Sequence, residues 1–203
     1  MNVDVTRNIL TDEVLSRFEM ATEEATGLPN ECYTSEKWLK AETTRLFART
    51  WMLAGFCHDI PGKGDACPVD LAGMPLLILR DNDGEIRAFH NVCRHRGAVI
   101  VPEKCSAQRM LTCPYHAWAY GLDGSLRSRP HFYGGDNHDT DPGPDAPGLV
   151  PVRHAVWHDL IFVNISGDAI AFEEHWKPFT RWTADYDFSA LNYAETLDFD
   201  VKG

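Results

Sequence analysis

Hydrophobic spacing changes character partway along the chain. From Thr11 to Thr26 an acidic segment with Val14, Leu15 and Phe18 apolar predicts a helix, stopped by Gly27-Leu28-Pro29-Asn30. Thr34 or Ser35 can cap a second helix with Glu36 in its first turn, and Trp38, Leu39, Leu46 and Phe47 recur near helical spacing up to Thr50. Beyond Trp51 the periodicity shortens. Trp51 to Phe56 and Cys67 to Leu71 read as strands, separated by Pro61-Gly62-Lys63-Gly64-Asp65, and Leu76 to Leu79 is an apolar run of buried-strand length. Asp81-Asn82-Asp83-Gly84 predicts a hairpin turn, because Asn and Gly tolerate the positive φ that such turns need. The return strand alternates, with Ile86, Ala88, His90 and Val92 on one face and Arg87, Phe89 and Asn91 on the other.

Further along, Leu122-Asp123-Gly124-Ser125 is another turn, and the Gly-, Asp- and Pro-rich stretch from Pro130 to Pro147 predicts a surface loop. Val150 to Val156 and Leu160 to Ile165 form an expected strand pair. Phe172, Trp176 and Phe179 have helical spacing, with Pro178 confining any helix to its N-terminal side. Thr196 to Val201 alternates with a period of two and predicts a last strand. The expected organisation is a helical segment over 1–50, a mainly β domain over 51–166, and a linker with one strand over 167–203.

Charge narrows the function. With 19 Lys and Arg against 30 Asp and Glu, the net charge of −11 disfavours a nucleic-acid partner, which needs a positive face. No apolar run reaches the ~20 residues of a bilayer-spanning helix, so no membrane partner is expected. The first residues lack a signal peptide, and a cytoplasmic, reducing setting follows. There the 6 cysteines suit metal or free-thiol roles better than disulfides.

The chemistry concentrates in Cys93-Arg94-His95 and Cys113-Pro114-Tyr115-His116, with 17 residues between His95 and Cys113. Each pair puts a thiolate and an imidazole on a short loop after a predicted strand. Such ligands suit zinc or iron–sulfur rather than magnesium or calcium. Two Cys and two His match either a tetrahedral zinc site or a Rieske [2Fe–2S] centre, in which His₂ replaces Cys₂ on one iron. Zinc spacing usually repeats like with like, whereas each short pair here is mixed.

Cys93-Arg94-His95-Arg96-Gly97 with Cys113-Pro114-Tyr115-His116-x-Trp118 resembles the Rieske fingerprint, in the form found in Rieske non-haem iron oxygenases (aromatic-ring-hydroxylating dioxygenases). Ala117 departs from it, standing where most members have Gly; negative φ would make that harmless and positive φ would make it costly. The resemblance covers most of the chain from about residue 28, including Cys32-Tyr33-Thr34-Ser35, the Trp38 helix and Trp51. It implies a Rieske antiparallel β-sandwich preceded by one or two helices. Cys93 and Cys113 would hold the buried iron of a [2Fe–2S] cluster, and His95 and His116 the outer one. Replacing two thiolates by neutral imidazoles makes an electron easier to accept. Respiratory Rieske proteins add a disulfide and a hydroxyl donor, at positions occupied here by Ala98, Tyr115 and Trp118, so a potential at the low end, roughly −150 mV, is expected.

By the same resemblance, the chain is the N-terminal, electron-transferring part of an oxygenase alpha subunit. Its electrons would come from a flavin reductase, a ferredoxin or both, and go to a mononuclear Fe(II) across a subunit interface in a homotrimer. That iron needs two His and one carboxylate. No such motif occurs in the chain, so no catalytic residue is assigned and the oxygen-activating site is expected beyond Gly203. The alternatives are a free-standing Rieske ferredoxin-like carrier and a zinc-stabilised module. His154, His158 and Asp159 fall in an expected hairpin, His131, His138 and Asp139 in the loop as solvated residues, and His90 on a strand face as a packed histidine. Cys32, Cys57, Cys67 and Cys105 read as buried small hydrophobes.

Overall fold

The computed structural model describes residues 5–188, 194–195 and 197–200. Two compact units make up the chain, Met1–Ala169 and Ile170–Gly203.

Short helices open the first unit: α1 (Val5–Ile9), α2 (Asp12–Phe18), α3 (Glu31–Thr34) and α4 (Glu36–Arg45). Thr11 caps α2, its hydroxyl accepting from Val14 N–H at 3.3 Å, and Ser35 caps α4 by accepting from Trp38 N–H at 3.4 Å. Helix α2 ends well before Thr26, because beyond Phe18 the segment has no apolar stripe to bury. A single 3₁₀ turn over Phe47–Arg49 carries the chain into the strands.

Nine strands follow: β1 (Met52–Phe56), β2 (Ala66–Leu71), β3 (Met74–Arg80), β4 (Ile86–His90), β5 (Leu111–Thr112), β6 (Ala119–Tyr120), β7 (Leu126–Ser128), β8 (Arg153–Trp157) and β9 (Leu160–Asn164). They form three antiparallel sheets ordered β1-β9-β8, β2-β3-β4 and β5-β6-β7. The expected mainly β, antiparallel fold with N-terminal helices is what the chain adopts.

Strand β3 positions everything else. Its period-two alternation feeds two cores, Leu77 and Leu79 entering one with Phe89, Trp118 and Tyr120, and Leu76 and Ile78 the other with Ile86, Ala88, Ile161 and Val163. All four of these β3 side chains are fully buried, each worth about 1.5–3 kcal/mol. Strand β4 is buried on both faces. Ile86 and Ala88 join the second core, yet Phe89 on the opposite face is also buried, because sheets lie against both sides.

The Asp81–Gly84 turn forms as expected. Asp81 is buried and accepts from the N–H groups of Asp83 and Glu85, both at 2.9 Å, and from Arg87 Nε at 2.7 Å. Burial alone would raise its carboxyl, but these hydrogen bonds outweigh burial and hold it below the usual carboxylate range. Asn164 ties the helical segment to β9, donating to the carbonyls of Ala48 and Thr50 and accepting from Ala169 N–H.

In the second unit α5 spans Phe172–Trp182 and runs through Pro178, further than expected. Proline removes one N–H and crowds one carbonyl, while the rings of Phe172, Trp176 and Phe179 stack along one face at 5.5 and 4.8 Å and favour continuation. Of the anticipated final strand, residues 197–200 belong to no strand among the described residues, since alternation alone supplies no second strand; Thr196 and Val201 lie outside the described residues. Among the described residues no helix is long and apolar enough to cross a membrane.

Candidate iron–sulfur site

Two loops built on the same hydrogen-bond frame carry the four sequence-predicted residues. After β4, Cys93 N–H donates to Ala98 O at 2.8 Å and Gly97 N–H to Cys93 O at 3.0 Å. Between β5 and β6, Cys113 N–H donates to Trp118 O at 2.9 Å and Ala117 N–H to Cys113 O at 3.0 Å. Each loop turns at a residue in the left-handed region, Gly97 at φ +74° and Ala117 at φ +55°. The harmless alternative for Ala117 is therefore excluded, and its Cβ sits in a strained conformation.

Asn91, 1% exposed, braces the first loop. Its amide donates to Val101 O at 2.7 Å, while its carbonyl oxygen accepts from the N–H groups of Ile100 and Val101.

The loops bring their side chains together in two tiers. Cys93 and Cys113 are buried together in the core shared by β3, β4 and β6. His95 and His116 are only partly buried, their rings edge to face with centroids 4.8 Å apart. His95 lies flat on the Trp118 indole, at 4.8 Å and 6°, and the exposed Tyr115 ring leans on His116 at 3.8 Å. Arg94 and Arg96 are exposed beside them. The open cleft at this end, about 750 Å³, is lined by His95, His116, Tyr115, Trp118 and Phe132 among others.

Electrostatics favours ligation. Burial, with His116 and Arg96 nearby, pushes the His95 imidazolium below its ordinary value, so the ring is neutral and its lone pair free. Burial raises the Cys113 thiol, and Cys93 beside it adds to that, against the N–H groups of Tyr115 and His116 that point at the sulfur. A metal group binding here must displace thiol protons, so uptake is favoured by rising pH.

Tyr120 is a functional residue that sequence reasoning missed. Fully buried, its hydroxyl accepts from Arg94 N–H at 3.0 Å and lies 3.2 Å from Cys93 Sγ. Burial and Cys93 push the phenol up, so it stays protonated beside the sulfur.

Several other expectations change. Asp139 is not solvated but buried, paired with Arg129, whereas His131 and His138 are exposed as expected, with their rings 4.6 Å apart. The thiols of Cys57, Cys67 and Cys105 are half-buried at the edges of the cores, and Cys32 is half-buried in α3. Arg153 to Asn164 does form the hairpin, with His158 in its turn at φ +54° and Asp159 accepting from the ring and backbone N–H of His58.

The donor set fits a two-iron cluster. His116 Nδ1 is buried without a hydrogen-bond partner, a polar atom awaiting a ligand. The grouping is two sulfurs inside and two imidazoles outside.

Residues 50–134 match the Rieske [2Fe-2S] domain family. The oxygenase subunit of carnitine monooxygenase from Escherichia coli is 31% identical over 168 residues, covering 82% of this chain and 44% of that subunit. Chloroplastic choline monooxygenase from Spinacia oleracea is 30% identical over 185 residues, covering 89% and 40%. The quaternary ammonium Rieske monooxygenase CntA, in complex with gamma-butyrobetaine, superposes with a TM-score of 0.69 at 27% identity, covering 79% of this chain and 45% of that one. The chain thus spans less than half the length of these relatives. It carries a Rieske [2Fe–2S] domain and is homologous, over that part of their length, to Rieske oxygenase alpha subunits.

Proposed function

We propose that Cys93 and Cys113 hold the inner iron of a [2Fe–2S] cluster and His95 and His116 the outer iron, and that the chain relays electrons within a Rieske oxygenase. When bound, the cluster supplies a one-electron carrier whose neutral outer ligands make reduction easier than in an all-Cys ferredoxin. The observation that carries this reading is the tiered site: paired sulfurs sealed in the core, paired imidazoles at the rim.

The residues divide the work. The core around Cys93 and Cys113 excludes water, while the N–H groups of Tyr115 and His116 and the Tyr120 hydroxyl spread negative charge away from the sulfurs. His95 and His116 bring the electron to the surface, where Arg94 and Arg96 attract a negatively charged donor. That donor is a flavin reductase or a ferredoxin. The acceptor is a mononuclear iron in a neighbouring subunit, in keeping with the inter-subunit electron transfer named for a solved quaternary ammonium Rieske monooxygenase. The free thiols suit a reducing, cytoplasmic setting.

The test is reductive titration of the chain after anaerobic iron–sulfide loading. Its visible spectrum bleaches as one electron per chain is taken up, and NADH does the same only when a flavin reductase is added. A protein that stays colourless on loading, or that dithionite leaves unchanged, overturns the assignment.

A further inference from the structure

Beside the outer imidazoles stands a column of flat groups that nothing in the ligand motif requires. The His95 ring lies on Trp118, and the Arg129 guanidinium faces both the Trp118 ring, 5.6 Å from its centroid, and the Phe132 ring, 3.6 Å from its centroid. Trp118 is 6% exposed, Phe132 about half exposed, so the column runs from the ligand to solvent.

Arg129 is held from behind. Its Nε donates to Asp139 Oδ2 at 2.7 Å and its Nη2 donates to the same oxygen. The backbones add two bonds, Arg129 N–H to Asp139 O at 2.7 Å and Asp139 N–H to Arg129 O at 3.0 Å. Both side chains are largely covered, at 14% and 8% exposure, although residues 131–138 of the loop they close are exposed. An ion pair drawn into so polar a loop costs desolvation of both charges, so its placement calls for a reason. The intervening turn is internally bonded, with Gly134 N–H to His131 O at 3.0 Å and His131 N–H to His138 Nδ1 at 3.1 Å. Phe132 is therefore presented to Arg129 by a closed loop.

We propose that Arg129, clasped by Asp139, is a positioning residue that fixes Trp118 flat against His95 and so sets the orientation of one outer ligand. A guanidinium suits the task because it is planar and can stack on aromatic faces while its edge stays paired with a carboxylate. His116 is backed instead by the exposed Tyr115 ring, with centroids 3.8 Å apart. The clasp makes the two outer ligands unequal: His95 lies on a buried, braced ring and His116 against an exposed one. This inference rests on the cluster assignment proposed above.

The loaded 203-residue chain tests it. Wild type must first show the reduced-state paramagnetic signal with coupling to two histidine nitrogens; if it does not, the cluster assignment itself has failed. Arg129→Lys keeps the charge but cannot stack, and Phe132→Leu removes the outer ring without touching the ion pair. Both are expected to shift one histidine coupling and the anisotropy of the signal, leaving the other coupling in place, with Arg129→Lys the larger. Arg129→Gln and Asp139→Asn should move that coupling in the same sense. Wild-type couplings in all four variants, with only a lower Tm, would make the clasp a structural staple and overturn the proposal. Opposite potential shifts in Arg129→Gln and Asp139→Asn with unchanged couplings would overturn it too, by showing that charge alone acts.

Discussion

The loop from Cys93 to Ala98 and the loop from Cys113 to Trp118 share a backbone frame and differ in nearly every side chain. Both close with a bond from the cysteine N–H to the residue five places on, and both turn four places after the cysteine at positive φ. At that turn one uses Gly97 and the other Ala117. Histidine follows cysteine after one residue in the first and two in the second, so equivalent frames release their imidazoles at different points. The closing residue is a small Ala98 in one and the Trp118 that stacks on His95 in the other. The sulfurs are also served differently, Cys93 by the Tyr120 hydroxyl and Cys113 by backbone N–H groups. The frame places the ligands, and the decoration makes the two halves unequal.

The largest effect should come from removing a sulfur. Cys93→Ala or Cys113→Ala abolishes the colour of the loaded protein and the cluster's contribution to stability, on the order of several kcal/mol. Comparable loss from both, read by visible absorption and chemical denaturation, shows that the loops act as one site. Retained colour in either variant would break the equivalence.

Tyr120→Phe touches only the first loop. It leaves Arg94 N–H without its partner, a loss of about 1–3 kcal/mol, and removes the donor from Cys93, so the midpoint potential falls. An unchanged potential would mean that the hydroxyl does not reach the sulfur.

The turns offer a reciprocal pair. A Cβ on Gly97 would meet nothing within 4 Å, so Gly97→Ala isolates backbone strain and should cost about 1 kcal/mol. Ala117→Gly should be neutral to stabilising by up to about 1 kcal/mol, because relief of strain is partly offset by a more flexible unfolded chain. Denaturation midpoints moving the same way in both would contradict a common frame.

The smallest effect concerns pH. Burial lowers the His90 pKa from its ordinary value of 6.5, so the unfolded chain binds a proton that the folded chain resists. Stability is complete above about pH 6.5 and declines as pH falls through the depressed value. The decline should be shallower in His90→Gln than in wild type, the remainder coming from His95, as followed by thermal melts between pH 7 and pH 5.

Much of this was legible because the relevant signals are local. Turn chemistry at Asp81–Gly84, the Ser35 cap and the alternating runs specify elements without knowledge of distant contacts, and the mixed Cys/His spacing marks the site directly. What escaped depends on distance in space. Tyr120 lies 27 positions from Cys93 and reaches it only because β6 packs across the first loop. Asp139 reads as solvated in a polar loop until Arg129, 10 positions earlier, is seen to close the loop beneath it. Pro178 stops a helix in isolation, yet α5 passes through it with its aromatic face stacked.

The central claim is that four side chains on two like-built loops hold two linked irons unequally. Iron and acid-labile sulfide analysis, combined with pulsed paramagnetic spectroscopy of ¹⁵N-histidine-labelled, dithionite-reduced protein, tests it most directly. The account predicts two irons and two sulfides per chain, with two nitrogen couplings that are lost when His95 or His116 is replaced. A colourless protein holding one zinc per chain, or an iron signal without histidine coupling, would contradict it.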